Sequence, residues 1–480
     1  MSRLTKHLVW TAMGAPAPEN VRTRFAVPAT LGVAGAAKPS AASSAQCPEA
    51  IHLDISVPAR EQAVYLLHVG AEVEHALMAQ YLYAAYSLGC SQLSEEHQKL
   101  IRQWRDVIVQ IAREEMAHWT TVENILTLLD APLNFAREDF PIPRDLYPFD
   151  FELEPLTKRS LGKYVLAEMP TEDVVKKLGL EKKIDEIRKY VGGPAAQDKC
   201  TVHRVGIIYS AIVALFQPPV SPQEPPKAPP AFIRSEDILA ESNLFQVRPE
   251  EWGLGYKDLL IGTALDRSTA AAAITAISIQ GEGSDIDNLQ TSHFGLFLDI
   301  YDKFPDESGW RPARPVARNP TTDDDAPPDR RITHPLAVRW AELFNLRYRM
   351  LLMFLVHSFD IEAPVSPSQR TSRGLLISWA FGEMYNLRSI ASILMDLPLR
   401  KDAGGLFAGP PFEMPYSLAL APRESGRWRQ HRDMLQASQM CIDGLEGLEK
   451  EDGPHAGYLQ GLRTADRDAL DQITILLGGL

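Results

Sequence analysis

The stretch "REEMAHW" (Arg113–Trp119) places a carboxylate, Glu115, and an imidazole, His118, three residues apart. On a helix that spacing puts an oxygen and a nitrogen donor on one face, where both can reach one point. Both residues stand where oil is expected. Trp104, Ile108, Ile111, Val122, Ile125 and Leu129 advance in alternating steps of four and three, and Glu115 and His118 fill the gap between them. Upstream, Val64, Leu67, Ala71, Met78, Tyr81, Ala85 and Leu88 make the same walk, with Glu74 inside it and Glu72 off it. A buried ionised carboxylate needs a partner or takes up a proton. A metal ion is the most economical partner, and oxygen with imidazole donors suits iron or manganese. Glu-x-x-His alone is common on solvated helix faces. Its place in the apolar stripe, matched by Glu74, gives it weight.

The elements that must position these residues are helical. Pro58–Gly89 and Ser94–Leu129 read as two long helices, the second with Ser94 as N-cap and "DAP" (Asp130–Pro132) as its stop. A mixed segment follows, irregular at "FPIPRDLYPFDF" (Phe140–Phe151). A third helix is predicted from near Thr201 through "VGIIYSAIVALF" (Val205–Phe216), apolar nearly all round and so buried. The proline-rich run Pro218–Pro230 predicts a stiff connector. A fourth helix is predicted from about Lys257 to Ile279, broken at "GEG" (Gly281–Gly283) and resumed from Leu289 to Phe304. After the charged linker Arg318–Arg331, long helices are predicted over Pro335–Phe359 and Gln369–Leu397, then a proline-rich loop and a terminal helical pair. Strand signals are scarce, so the class is all-α. Three regions result: an extension over residues 1–50, disordered or targeting-like; a helical bundle over 55–310; and a C-terminal helical subdomain over 332–480, packed on the bundle.

Composition sets the outer bounds. The 480-residue chain is 45% hydrophobic and 23% charged, which is ordinary for a globular protein. A net charge of −13 argues against nucleic acid and anionic membrane as partners. Cys47, Cys90, Cys200 and Cys441 are scattered, with no CxxC pair, which fits a reducing, cytoplasmic setting. The longest apolar runs, such as Met350–Phe359, are too short to span a bilayer. No nucleophile elbow, P-loop or dinucleotide fingerprint is present. His68, Glu72 and His75 form a row expected to be exposed or at an interface, and His357 is expected as a hydrogen-bonded core histidine.

Two segments carry a family resemblance: "EVEHALMAQYLYAAYSL" (Glu72–Leu88) and "QIAREEMAHWTTVENIL" (Gln110–Leu126). "QGEG" (Gln280–Gly283), "SHF" (Ser292–Phe294) and "GPPFEMPY" (Gly409–Tyr416) support them. Together they resemble the ferritin-like domain of the iminophenyl-pyruvate dimer synthase family. The resemblance implies a ferritin-like four-helix bundle followed by a C-terminal helical subdomain. It implies Glu74, Glu115, His118 and His293 as metal ligands, the first three also catalytic. Departures are evident. Ile207 and Ile279 stand where the family has carboxylates, and Gln290 stands three before His293. Glu282 follows a glycine break, and His203 reads as an ordinary helix-start histidine. One iron or manganese ion, or none, is therefore expected rather than a di-iron pair. Haem is left open, with no attachment motif to support it.

The function implied is a metal-dependent oxidative enzyme of specialised metabolism, coupling or oxidising a small aromatic, imino-acid-like substrate. The alternative is a metal-degenerate scaffold, or a metal-free acid–base enzyme acting on a hydrophobic substrate. The oligomeric state is open, a homodimer included.

Overall fold

The two striped segments fold into long helices, α1 (Ala59–Ser87) and α2 (Glu95–Leu128). Ser94 caps α2 by accepting from the His97 amide at 3.2 Å, which satisfies one of the donors every helix start leaves free. The computed structural model describes residues 8–11, 50–53, 57–89, 93–142, 149–192, 205–217, 232–252, 259–283, 286–306, 309–362, 371–402, 404–449 and 453–479.

The mixed segment contains α3 (Lys158–Ala167), α4 (Glu172–Lys177) and α5 (Glu181–Val191). Next come α6 (Val205–Phe216), α7 (Arg267–Glu282), a single turn α8 (Ile286–Leu289) and α9 (His293–Lys303). α7 thus starts about ten residues later than its pattern predicts, because Asp266 caps it by accepting from the Thr269 amide at 2.8 Å. α1 packs on α2 and α6, and α7 packs on α6 and α2, which closes a four-helix bundle. α9 lies against α2, α3 and α7.

The C-terminal helices are α10 (Pro335–Ser358), α11 (Ser372–Leu394), α12 (Glu424–Glu449) and α13 (Ala456–Gly479). α10 packs on α11 and α12, and α12 on α13. Arg373 ties this part to the bundle side through the carbonyls of Phe245 and Gln246 and the carboxylate of Glu251.

Strand structure among the described residues is a two-stranded antiparallel ribbon, β1 (Leu8–Thr11) with β2 (Ala50–Leu53). The rest of the predicted extension, the proline-rich connector and His203 lie outside the described residues. No helix among those residues is long and apolar enough to cross a membrane.

Candidate metal centre

Glu74, Glu115, His118 and His293 meet in the bundle interior, each almost fully buried. Glu115 lies between the two imidazoles. Its Oε2 is 3.2 Å from His118 Nδ1 and its Oε1 is 2.9 Å from His293 Nδ1. His118 Nδ1 is also 3.7 Å from Glu74 Oε2. The two rings stack with centroids 5.3 Å apart. Glu115, His118 and His293 each offer a ligand atom within 4.8 Å of the others.

The sequence reading missed Glu168. It occupies the C-cap of α3, is buried, and brings Oε2 to 3.8 Å from His293 Nδ1. It also missed Glu114, whose Oε2 lies 2.9 Å from His293 Nε2, and Gln280, whose Oε1 lies 2.9 Å from His118 Nε2. Both acceptors take the Nε2 proton. Each ring is thereby oriented with Nδ1 toward the carboxylates, the outer support that metal-ligating histidines use.

The isoleucine expectation is corrected in part. Ile207 is buried, but Ile279 is 38% exposed and points away from the cluster. Successive residues on a helix are rotated by about 100°, so with Gln280 turned inward its neighbour faces out. The third bundle helix contributes a phenol instead: Tyr209 donates to Glu74 Oε1. Tyr81 likewise donates to Glu168 Oε1.

The glycine motifs serve close approach. A Cβ on Gly206 would lie 2.2 Å from Glu282 Oε1, which instead accepts from the Gly206 amide at 2.9 Å. A Cβ on Gly281 would press Glu168 Oε2 at 3.3 Å. Gly283 ends α7 at φ +74°, a conformation that favours glycine. "QGEG" therefore orients His118, leaves room for Glu168, ties α7 to the start of α6 and stops the helix.

Electrostatics show a cluster balanced by protons. Burial, then the neighbouring Glu115, pushes the Glu74 carboxyl up to about 8. Burial alone would lower His118, but its contacts with Glu115 and Glu74 outweigh it and hold the imidazolium up at about 10. Burial likewise opposes His293, yet Glu115 and Glu114 raise it well above the usual range. Burial works against the Glu115 carboxylate too, and the charge of His293 brings it below its ordinary value. Even so, Glu74 Oε2, Glu115 Oε1 and His293 Nδ1 are buried without a hydrogen bond; the 2.9 Å approach of the last two is an ionic contact lacking hydrogen-bond geometry. Orphaned oxygens and an inward imidazole nitrogen fit a cation.

Other expectations sort as follows. His75 is not exposed: it is fully buried, stacked on Trp119 at 4.2 Å and hydrogen-bonded to the Tyr348 hydroxyl. His68 is at the surface side, 2.8 Å from the Pro132 carbonyl. His357 is a buried histidine bonded to His431 at 2.9 Å.

Comparison with known proteins gives this arrangement its relatives. The Ferritin-like family model matches residues 67–302. That stretch is a ferritin-like domain. The chain is homologous to dichlorochromopyrrolate synthase of Lentzea aerocolonigenes, 26% identical over 435 residues, covering 80% of this chain and 39% of that protein. It is also homologous to 2-imino-3-(indol-3-yl)propanoate dimerase of Chromobacterium violaceum, 24% identical over 407 residues, covering 75% of this chain and 34% of that protein. The chain thus spans well under half the length of the curated relatives it matches. A ferritin-like protein from Caulobacter vibrioides is a loose structural likeness, with TM-score 0.37 and 16% identity over 69% of this chain and 96% of that one.

Proposed function

We propose that this chain is a metal-dependent oxidative enzyme of specialised metabolism that acts on a small aromatic, imino-acid-like substrate. One observation carries the metal half: two imidazoles, both held by outer acceptors, turn Nδ1 onto carboxylate oxygens that have no hydrogen bond. Glu115, His118 and His293 would hold one iron or manganese ion, with Glu74 and Glu168 at its flanks. When bound, the ion would supply redox and Lewis-acid chemistry. The substrate half is supported by the homologues, an indole-bearing imine dimerase and a dichlorochromopyrrolate synthase.

The chain's own residues divide the remaining work. Gln280 and Glu114 keep the imidazoles in register. Tyr209 and Tyr81 hold protons at Glu74 Oε1 and Glu168 Oε1, which fixes the outer face of each carboxylate. Ile108, Ile111, Val122 and Phe297, all buried, exclude water around the cluster. Metal analysis of the purified full chain tests the reading. About one equivalent of iron or manganese is expected, lost in His118→Ala; a variant that keeps its full metal content refutes the ligand set.

A second reading has its own support. Glu74, held at about 8, keeps its proton at neutral pH and could act as a general acid without any metal. Turnover that survives chelation and is lost in Glu74→Gln would favour it.

A further inference from the structure

Between the bundle and the C-terminal helices lies a cavity of about 210 Å³. That is many times the roughly 10–15 Å³ that a single water requires. It lies along the same helix pair as the Glu–His cluster: Met78 stands one turn beyond Glu74, and Met116 adjoins Glu115 in the chain. α10 and α11 close it from the other side with Tyr348, Leu351 and Leu387, and Phe412 completes the wall. The lining is mainly apolar, with methionine sulfur and aromatic rings, a surface that accepts a flat ring. Tyr348 is held in place, its hydroxyl bonded to His75 and, at 3.2 Å, to Arg137 Nη2.

Two guanidinium groups stand in this otherwise oily seam. Arg113 is half-buried, and its Nε is buried without a hydrogen bond. Arg388 is at the exposed mouth. Neither has an ion-pair partner among the described residues. Asp106, exposed, is the one carboxylate in the lining. Arg105 lies close enough to feel Arg388: burial, then Arg314 and Arg388, holds its guanidinium below the usual value. In a chain of net charge −13, an apolar cavity whose mouth carries more cation than anion is complementary to a ring bearing one negative group. Arginine favours carboxylate among such groups because its planar fork matches two oxygens.

We propose that this seam cavity binds an aromatic carboxylate, the ring between Met78, Met116, Tyr348 and Phe412 and the carboxylate toward Arg113 and Arg388. The assignment goes beyond the metal reading and does not depend on it. It also gives the C-terminal helices a role, since six of the fifteen lining residues come from α10 and α11.

Calorimetric titration of the full chain, treated with chelator, tests it with indole-3-acetate as probe and neutral indole as its control. Indole-3-acetate is expected to bind saturably at one per chain. The double change Arg113→Gln with Arg388→Gln is expected to weaken it about tenfold or more, as loss of charge-assisted hydrogen bonds does, while indole binding stays within about twofold. Val109→Trp, which puts a ring into the cavity from a half-buried position, is expected to block both probes; circular dichroism confirms that each variant is folded. Absence of saturable binding at millimolar indole-3-acetate overturns the proposal. So does binding that folded arginine variants leave unchanged. Chelated protein holds no ion for the carboxylate to ligate, so failure here leaves the metal reading standing, and failure to bind metal leaves this one standing.

Discussion

A buried carboxylate cluster in the bundle and another among the C-terminal helices are neutralised in opposite ways. In the C-terminal subdomain Arg347 lies between Glu383 and Asp466, at 2.9 and 2.6 Å, and donates to Ser438 at 2.6 Å. Asn386 and Ser438 complete the carboxylates, leaving Arg347 Nε without a hydrogen bond. The counter-cation is covalent and permanent. In the bundle, the ion-pair partners of Glu74, Glu114, Glu115 and Glu168 among the described residues are His118 and His293, whose positive charge is a proton that can leave. A guanidinium closes a cluster for good, whereas imidazoles leave one that a metal can enter by displacing protons.

The largest expected effect comes from removing the permanent cation. Arg347→Leu strands two buried carboxylates and should cost about 3–5 kcal/mol, read as a lower urea midpoint. His118→Ala in metal-free protein should cost clearly less, because Glu74 already retains its proton at neutral pH. Equal losses in the two variants would break the contrast.

Loading the bundle with metal should come next. An ion that binds only the folded chain stabilises it by about 2.7 kcal/mol at a hundredfold excess over its dissociation constant. Thermal unfolding with and without manganese should show that rise in the native chain, in Arg388→Gln, and not in His118→Ala. A rise of the same size in His118→Ala would place the ion elsewhere.

The outer acceptors should have a smaller effect. Glu114→Gln and Gln280→Leu remove the groups that orient His293 and His118, and each should weaken metal binding by about 10–100-fold without abolishing it. Glu168→Gln sharpens the comparison further. If Glu168 flanks the ion, metal affinity falls; if it merely pairs with the His293 imidazolium, chelator competition will show no change.

The legible part of the site follows from helix length. α1 and α2 run for 29 and 34 residues, long enough for a three–four stripe to identify Glu74, Glu115 and His118 as inward-facing. His293 begins a helix of 11 residues and was found only through its motif. Glu168 had no stripe to betray it, since it caps a ten-residue helix inside a segment of short elements. Glu114 sits beside Glu115 and off the stripe, so its role as an orienting group depends on where α9 packs. Ile279 was misplaced because a motif fixes residue order but not the rotation of its helix. The seam cavity was not legible at all: its walls come from α1, α2, α10 and α11, hundreds of residues apart in sequence.

The smallest expected effect concerns the histidines, which divide as the carboxylates do. His118 and His293, facing carboxylates, are raised. In the C-terminal subdomain His431 is pushed down to about 3 by burial and then by the neighbouring His357. His357 is itself lowered by burial, only partly offset by Glu424, with Arg427 and Asp360 also acting on it. A histidine whose folded value is depressed contributes stability that is present above its unfolded value, near 6.5, and is lost as pH falls toward the folded value. One unit below 6.5 the loss from His431 should be about 1.4 kcal/mol. Glu74 and Glu123, both raised to about 8 by burial, titrate with the opposite sign in this window, so the measurement must be a difference. The stability of His431→Phe relative to the native chain should therefore improve by about 1.4 kcal/mol between pH 7.5 and 5.5 in chelated protein. His118, raised, adds its own slope above 6.5 that fades below it as the unfolded chain takes up the same proton, and it cancels in the difference. A difference that does not move with pH would mean that His431 takes its proton inside the fold, and the two halves would then treat imidazole alike.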